Sequence, residues 1–414
     1  MLEARRRPPL GSAALEGHEV VSAVAVCVAV WVWRRPEQLV RPYVWVEESH
    51  ILRNFLTDGW TAAVEPIQGY LILPSTALVT LAAEISFVHL PGLMYLCSLA
   101  VFVATVLLLV VPESRWGDRT TRSVMALSAS LVPTNPEVFG VLLYSFWWTT
   151  LWPLIVLGWT QARWAVRAPA LAIGALSSPA GGALFVVFAA AYLRGRRARD
   201  AISAGILFAG FVFQVVLTLT SDRGESLTSN ATARNVAEQV LRIGGLFEAN
   251  WLEPSRGFVA LVGVLLLGFL LASGVYLSLV ERRDEVLLMA LAAFVYTALS
   301  AVPAPLISAP DGYGPRYFFL PFIAFAWTLL ILIRSSPVRR LRVAALALLC
   351  IPVFNLGATF SRPDKATEAN LSWRAEIERC ASSTEPVVPV QIYFDGSFFV
   401  WTMDMTPAQC RDLS

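Results

Sequence analysis

"GYLILPSTALVTLAAEISFV", residues 69–88, is apolar enough to be taken for a membrane span, and its only charged residue is Glu84. A helix needs roughly 20 apolar residues to cross a bilayer core of about 30 Å. This stretch either crosses, lies along the surface, or dips in and returns. The choice decides the sidedness of every segment after it.

Composition sets the frame for that choice. Of 414 residues, 56% are hydrophobic and 15% charged, and the mean hydropathy is +0.61. That balance excludes an ordinary soluble globular protein and predicts an all-α polytopic membrane protein with about 10–11 transmembrane helices. Spans are expected at 19–34, 91–111, 122–141, 147–161, 169–193, 201–220, 257–280, 286–303, 317–334 and 341–358. The run 169–193 is broken by Ser177-Ser178-Pro179 and Gly181-Gly182. It predicts two short helices that enter and come back, because a broken helix at membrane depth must find polar partners for its freed backbone. The start "MLEARRRPPL" is basic, and the apolar run after it ends in "WVWRRPE" without a small-residue cleavage site. It reads as a retained first span rather than a signal peptide.

Charge then sets the sidedness. With a cytoplasmic N-terminus, the inside segments are 1–18, 112–121, 162–168, 194–200, 281–285 and 335–340. With their flanking helix ends they hold more than half of the 32 basic residues and fewer than a third of the 30 acidic ones, as the positive-inside rule requires. Arg34 and Arg35 run against it. The assignment works only if 69–88 does not cross. The transmembrane region is then 1–358, with a first external loop at 35–90 that carries interfacial helices. Shorter external loops fall near 133–146 and 304–316, with a polar loop at 221–256. A small external α/β segment follows at 359–414. In that tail "EANLSWRAEIERC" suggests a short helix, and "PVVPVQIYFDGSFFVW" suggests strands around an Asp395-Gly396 turn. Cys380 and Cys410 are free to pair if the tail faces an oxidising compartment. Cys27, Cys97 and Cys350 sit in apolar runs and read as small hydrophobes.

The chemistry-bearing residues gather in the loops of the external face. In "PYVWVEESHILRNFL", residues 42–56, Glu47, Glu48, His50 and Arg53 share one amphipathic segment. At helical spacing Leu52, Phe55 and Leu56 fall on one side, and Glu47, His50 and Asn54 on another. Such a helix would lie in the interface plane with its carboxylates at the bilayer surface; by itself it reads as a solvated surface helix. "LSASLVPTNPEVFG", 127–140, places Glu137 behind two prolines, where a helix-start role competes with a site role. "APDGYGPRYFFLPF", 309–322, opens a span with Arg316 and Tyr317. Arg316 suits phosphate through its planar fork, or snorkels to headgroups.

Together these stretches resemble the GT-C class of integral membrane glycosyltransferases, which use polyprenyl-phosphate-linked sugars. The resemblance rests on Trp45 followed by the Glu47-Glu48 pair, on Pro66-Ile67-Gln68-Gly69-Tyr70-Leu71, on Glu137 behind a proline, and on the late Arg316-Tyr317 pair. It covers the layout of residues 1–360. Many relatives carry a basic pair in the helix after Gly-Tyr-Leu; this chain has Pro74 and Ser75 there. The resemblance implies Glu47 or Glu48 as general base, Glu137 as a second site carboxylate, Arg316, Arg53 and His50 as phosphate contacts, and Tyr70, Gln68 and Tyr317 as pocket walls. It also implies a helix lying flat on the outer surface after the loop.

The implied reaction moves a sugar from a polyprenyl-phosphate carrier to an envelope glycan, lipid or protein acceptor on the outer face of the cell membrane, with inversion. A carboxylate takes the acceptor's proton and cations steady the leaving phosphate. The lipid-linked donor is a substrate. No metal site stands out, although Glu137 is placed to hold a divalent ion. Membrane lipids are expected partners and nucleic acid is not. No GxSxG, Walker or dinucleotide-binding pattern appears. The competing classes are a transporter or lipid flippase, which would show repeats and midplane charges, and a catalytically inactive relative acting as a partner subunit.

Overall fold

The computed structural model describes residues 10–67, 69–134, 136–221, 233–249, 256–302, 315–354, 356, 360, 372–394 and 400–413. The chain is an all-α polytopic membrane protein; among the described residues 77% are helical and one two-stranded sheet is present. Five helices among the described residues are long and apolar enough to cross a membrane. They are α1 (Leu10–Arg34, from Gly17), α5 (Leu90–Val110), α12 (Ala198–Leu219), α14 (Arg256–Val280, from Gly257), and α16 (Phe319–Ser335) with the 3-10 turn Pro315–Phe318 leading into it. In α5 an unbroken apolar run lets the helix interior pair its own backbone groups, as the bilayer demands. Shorter apolar helices fill in between: α4 (Leu73–Ile85), α9 (Trp164–Ser177), α10 (Pro179–Ala183) with α11 (Phe185–Gly195), and α15 (Glu285–Ala301).

The arginine-bearing turns collect at one end of the bundle. Arg119, which opens α6 (Arg119–Ser130), lies 3.6 Å from Glu19 of α1. The Arg115 N–H donates to the Gly158 carbonyl at 2.9 Å, Arg194 pairs with Asp284 at 2.7 Å, and Arg283 donates to the Ser335 carbonyl. The first loop, the 133–146 segment, Arg316 and the tail collect at the opposite end. Arg34 belongs there too, and its burial explains why it defies the charge rule. Its guanidinium donates to the carbonyls of Ser130, Val132 and Thr134 at 3.2, 2.7 and 2.8 Å. It satisfies the frayed end of α6 instead of facing solvent.

Residues 69–88 do not cross the bundle. The helix within them, α4, has 13 residues, about 20 Å at 1.5 Å per residue. Both its flanks lie at the end opposite the arginine turns: Leu71 is bonded to Gln214 near the close of α12, and the Phe87 carbonyl to Trp373 of the tail. Above α4 sit α3 (Glu48–Asp58) and the 3-10 turn Gly59–Val64.

The interrupted run 169–193 goes in and returns. Arg167 near the start of α9 meets Asp200 near the start of α12 at 3.7 Å. Farther along, α9 and α10 reach α12 at Gly210 and Phe211, and α11 then comes back to the turn before α12. A Cβ on Gly181 would stand 2.0 Å from the Gly174 carbonyl oxygen, so the turn closes only with glycine. Hydroxyls line the break: Thr149 to Ser177 at 2.6 Å and Thr150 to Ser178 at 3.1 Å.

Three expectations are corrected. The span at 122–141 is cut short, because α6 stops at Ser130 where Pro133 and Pro136 cannot continue it. The span at 147–161 is two helices, α7 (Ser145–Thr150) and α8 (Trp152–Gly158), divided before Pro153. The polar loop 221–256 contains an amphipathic helix, α13 (Ala233–Ala249), whose Ile243, Leu246 and Phe247 are buried. It packs tightly on α14: a Cβ on Gly245 would meet the Val259 carbonyl oxygen at 1.8 Å. Next, α17 (Arg339–Cys350) packs on α16.

The tail holds α18 (Trp373–Ser382), antiparallel strands β1 (Val388–Phe394) and β2 (Val400–Met405), and α19 (Pro407–Asp412). The Asp395-Gly396 turn lies outside the described residues. Cys380 and Cys410 form a disulfide, with Cα atoms 5.9 Å apart. The tail docks through Trp373, whose indole N–H donates to the Phe87 carbonyl at 2.7 Å.

Candidate functional site

The acid pair divides. Glu48 opens α3 and turns inward, 1% exposed. Its two oxygens accept the backbone N–H groups of Trp45 at 2.8 Å and of Leu143 at 2.9 Å. Burial pushes its carboxyl up to about 8, against the pull of those N–H groups. An interfacial helix with both carboxylates at the surface is therefore not what forms. The cause is local: Ile51 and Leu52 bury one side of α3, and Glu48, one helical turn before them, falls on that same side.

Glu47 faces a small cavity and keeps partial exposure, 21%. The Tyr144 hydroxyl donates to its Oε1 at 3.1 Å, and the Trp45 indole N–H donates to the same hydroxyl at 3.1 Å. Burial raises the Tyr144 phenol well above its ordinary range, so it remains a proton donor. Arg316 Nη2 lies 3.5 Å from Glu47 and Nη1 lies 2.8 Å from Glu137. Its guanidinium carbon stands 5.0 Å from the centre of the Tyr144 ring. Three elements distant in sequence thus bring two carboxylates, one guanidinium and one phenol to a single point.

The cavity beside them measures about 30 Å³ and is walled by Tyr70, Tyr317, Phe146 and Trp147, among others. Tyr70 meets Phe146 edge-on at 6.4 Å, and Tyr317 meets Trp147 edge-on at 5.8 Å. The Tyr70 wall is held from behind: the Gln214 side chain accepts the Leu71 N–H at 2.9 Å and donates to the Leu71 carbonyl at 2.8 Å. His50 and Arg53 are not brought in. Both are exposed on α3, and the Arg53 guanidinium reaches Ser49 at 3.4 Å rather than the cluster. Gln68 lies outside the described residues.

Tyr144 and Gln214 escaped the sequence reading. Tyr144 lies in "LLYSFWW", where a phenol among aromatics at a span entry was the available signal. Gln214 is a lone amide in an apolar span, the kind of residue expected to hold a buried partner.

Glu47 and Glu137 are hard oxygen donors of the type a divalent cation takes. Both, however, lean on Arg316, and among the described residues no third His, Cys, Asp or Glu joins them. The donor set as built accommodates a guanidinium rather than a metal.

No family model matches this chain, and no curated protein matches it. Two solved structures similar to it come from Archaeoglobus fulgidus. One is the archaeal oligosaccharyltransferase AglB in complex with an inhibitory peptide and a dolichol-phosphate, with a TM-score of 0.46 and 13% identity over 91% of this chain. The other is an oligosaccharyltransferase in complex with Zn and sulfate, with a TM-score of 0.43 and 13% identity over 89% of this chain. The chain spans 59% and 56% of the lengths of those two proteins.

Proposed function

We propose that the chain is a GT-C-class membrane glycosyltransferase that moves a sugar from a polyprenyl-phosphate carrier to a hydroxyl acceptor at the outer face of the cell membrane, with the N-terminus cytoplasmic and the tail external. The observation that carries it is the Glu47–Arg316–Glu137 cluster with Tyr144, placed at the end of the bundle opposite the arginine-rich turns. The donor class rests on the resemblance of the Trp45–Glu48 and Pro66–Leu71 stretches.

Glu47 serves as the base. It is partly exposed, whereas Glu48 is sealed by two backbone donors. Glu47 takes the proton of the acceptor hydroxyl, the acceptor oxygen bonds to the anomeric carbon, and the bond from that carbon to the phosphate oxygen breaks. The electron pair leaves with the polyprenyl phosphate, whose charge Arg316 meets through its fork. Tyr144 fixes the Glu47 carboxylate, and Glu137 holds Arg316 and orients the acceptor. A single displacement inverts the anomeric centre. Charges held at one end of the bundle suit a donor whose sugar and phosphate lie at headgroup height, and suit a midplane transport path less well.

The test is transfer by protein in liposomes carrying a polyprenyl-phosphate sugar. Glu47→Gln should lose turnover while inserting and folding normally. Full transfer by that variant would remove the assignment.

A further inference from the structure

The two nitrogens at the tip of the Arg316 fork are both committed to carboxylates, and unequally. Nη1 donates to Glu137 Oε2 at 2.8 Å, the length of a charged hydrogen bond. Nη2 stands 3.5 Å from Glu47 Oε1, an ion pair beyond ordinary hydrogen-bond length. The same Oε1 accepts from the Tyr144 hydroxyl at 3.1 Å. The base and the cation assigned to the reaction thus occupy each other. All three charged side chains are largely covered, with Glu47 the most open at 21%, so solvent screens the contacts only in part.

Space is restricted at the same point. The cavity measures about 30 Å³, and one water needs about 10–15 Å³ on such a measure. It has room for about two waters and none for a sugar phosphate. One of its walls, Tyr317, follows Arg316 directly on the 3-10 turn Pro315–Phe318. Tyr317 closes edge-on against Trp147 at 5.8 Å, and the Arg316 guanidinium lies 5.7 Å from the centre of the Tyr317 ring. The cation that engages the base and the wall that closes the cavity therefore belong to one short turn. A shift of that turn releases the base and enlarges the cavity together.

We propose that the pair of Arg316 and Glu47 is a latch opened by the donor: its phosphate takes Nη2 from Glu47, draws the turn and Tyr317 away from Trp147, and frees the base only once the donor is seated. Resting on the glycosyltransferase reading, the latch adds a compulsory order to it, donor before acceptor. Glu47 is the carboxylate that yields, because its contact is 3.5 Å against 2.8 Å for Glu137. A phosphate brings charge and the geometry that the planar fork matches, so the exchange favours it. Only the opened arrangement offers it Nη2, and that difference in affinity is what shifts the equilibrium. Glu137 keeps Nη1 and holds the arginine at the site. Glu47 keeps the Tyr144 hydroxyl and stays in place when the cation leaves it. An acceptor hydroxyl that arrives first finds Oε1 facing two partners and little room beside it.

The test uses the full chain in nanodiscs, with a polyprenyl monophosphate and the matching polyprenol as probes. Glu47 is labelled with a carbodiimide in excess over the lipid, and the site is read by peptide mass spectrometry. In the parent, polyprenyl phosphate should raise labelling of Glu47 several-fold, and polyprenol should not. This measurement needs no variant to fold. Affinity for polyprenyl phosphate is the second readout. Glu47→Gln removes the competitor for Nη2 and should bind about fivefold tighter or more. Glu137→Gln loosens the arginine and should bind no tighter than the parent. Protection of Glu47 by polyprenyl phosphate, equal exposure by polyprenol, or equal tightening in both variants would overturn the latch and leave the transferase reading standing. A parent that binds no polyprenyl phosphate would remove both.

Discussion

Glu48 and Leu143 are joined by a 2.9 Å hydrogen bond from the Leu143 N–H to a carboxyl group sealed from solvent. That bond fixes the first loop to the segment that presents Tyr144, one residue on. Glu48→Ala leaves the Trp45 and Leu143 N–H groups buried without an acceptor. It should cost about 2–6 kcal/mol, at about 1–3 kcal/mol per orphaned donor, measured by thermal unfolding in detergent. Glu47→Gln should leave the melting temperature near that of the parent.

The same residue gives the fold a pH dependence. Its carboxyl is raised to about 8 in the folded chain, against about 4.3 for an ordinary glutamate. Between those values the folded state holds the proton and the unfolded state does not. The contribution is therefore full below about 4.3 and is lost as pH rises through about 8. Melting temperature should decline across this window, and Glu48→Gln should flatten the decline.

Tyr144→Phe removes one hydroxyl that bonds both Glu47 and Trp45. Turnover should fall about tenfold, the equivalent of ~1.4 kcal/mol in the barrier, with a smaller change in donor KM. An unchanged kcat would show that Glu47 needs no such hold.

Arg316→Ala leaves Glu47 and Glu137 facing each other without their shared cation. The loss should be about 1–3 kcal/mol for charged hydrogen bonds, and adding Glu137→Gln should recover part of it. Arg316→Lys keeps the charge but not the fork, so it should restore stability more than donor affinity. Liposome binding of the donor, set beside unfolding curves, separates the two effects.

Cys380→Ser opens a disulfide spanning 30 residues. The tail should lose about 3–4 kcal/mol and become sensitive to limited proteolysis, while the helical circular dichroism of the bundle remains.

The grouping of loops at two ends was legible because arginine placement follows membrane insertion, and α5, α12 and α14 were legible because long apolar runs have few other solutions. The convergence of Glu47, Glu137 and Arg316 was suggested by their shared side and by the family resemblance of the stretches that carry them. What sequence could not provide was orientation: Glu47 and Glu48 are neighbours of one type, and only the packing of Ile51 and Leu52 sends one inward. Arg34 misled for a related reason. A charge that caps carbonyls inside the protein is indistinguishable, in sequence, from one that faces water. The helix Ala233–Ala249 was hidden by its charged face, since its burial comes from a glycine contact with α14 that no local pattern announces.

Gln214 is bonded to both backbone groups of Leu71, beside the Tyr70 wall, and it belongs to α12, much of whose length is exposed along the bundle's flank. A helix so placed adjusts its tilt to the hydrocarbon thickness around it. The two hydrogen bonds tie the backbone beside Tyr70 to that helix. Turnover measured in thin and thick bilayers should therefore differ for the parent and converge for Gln214→Leu.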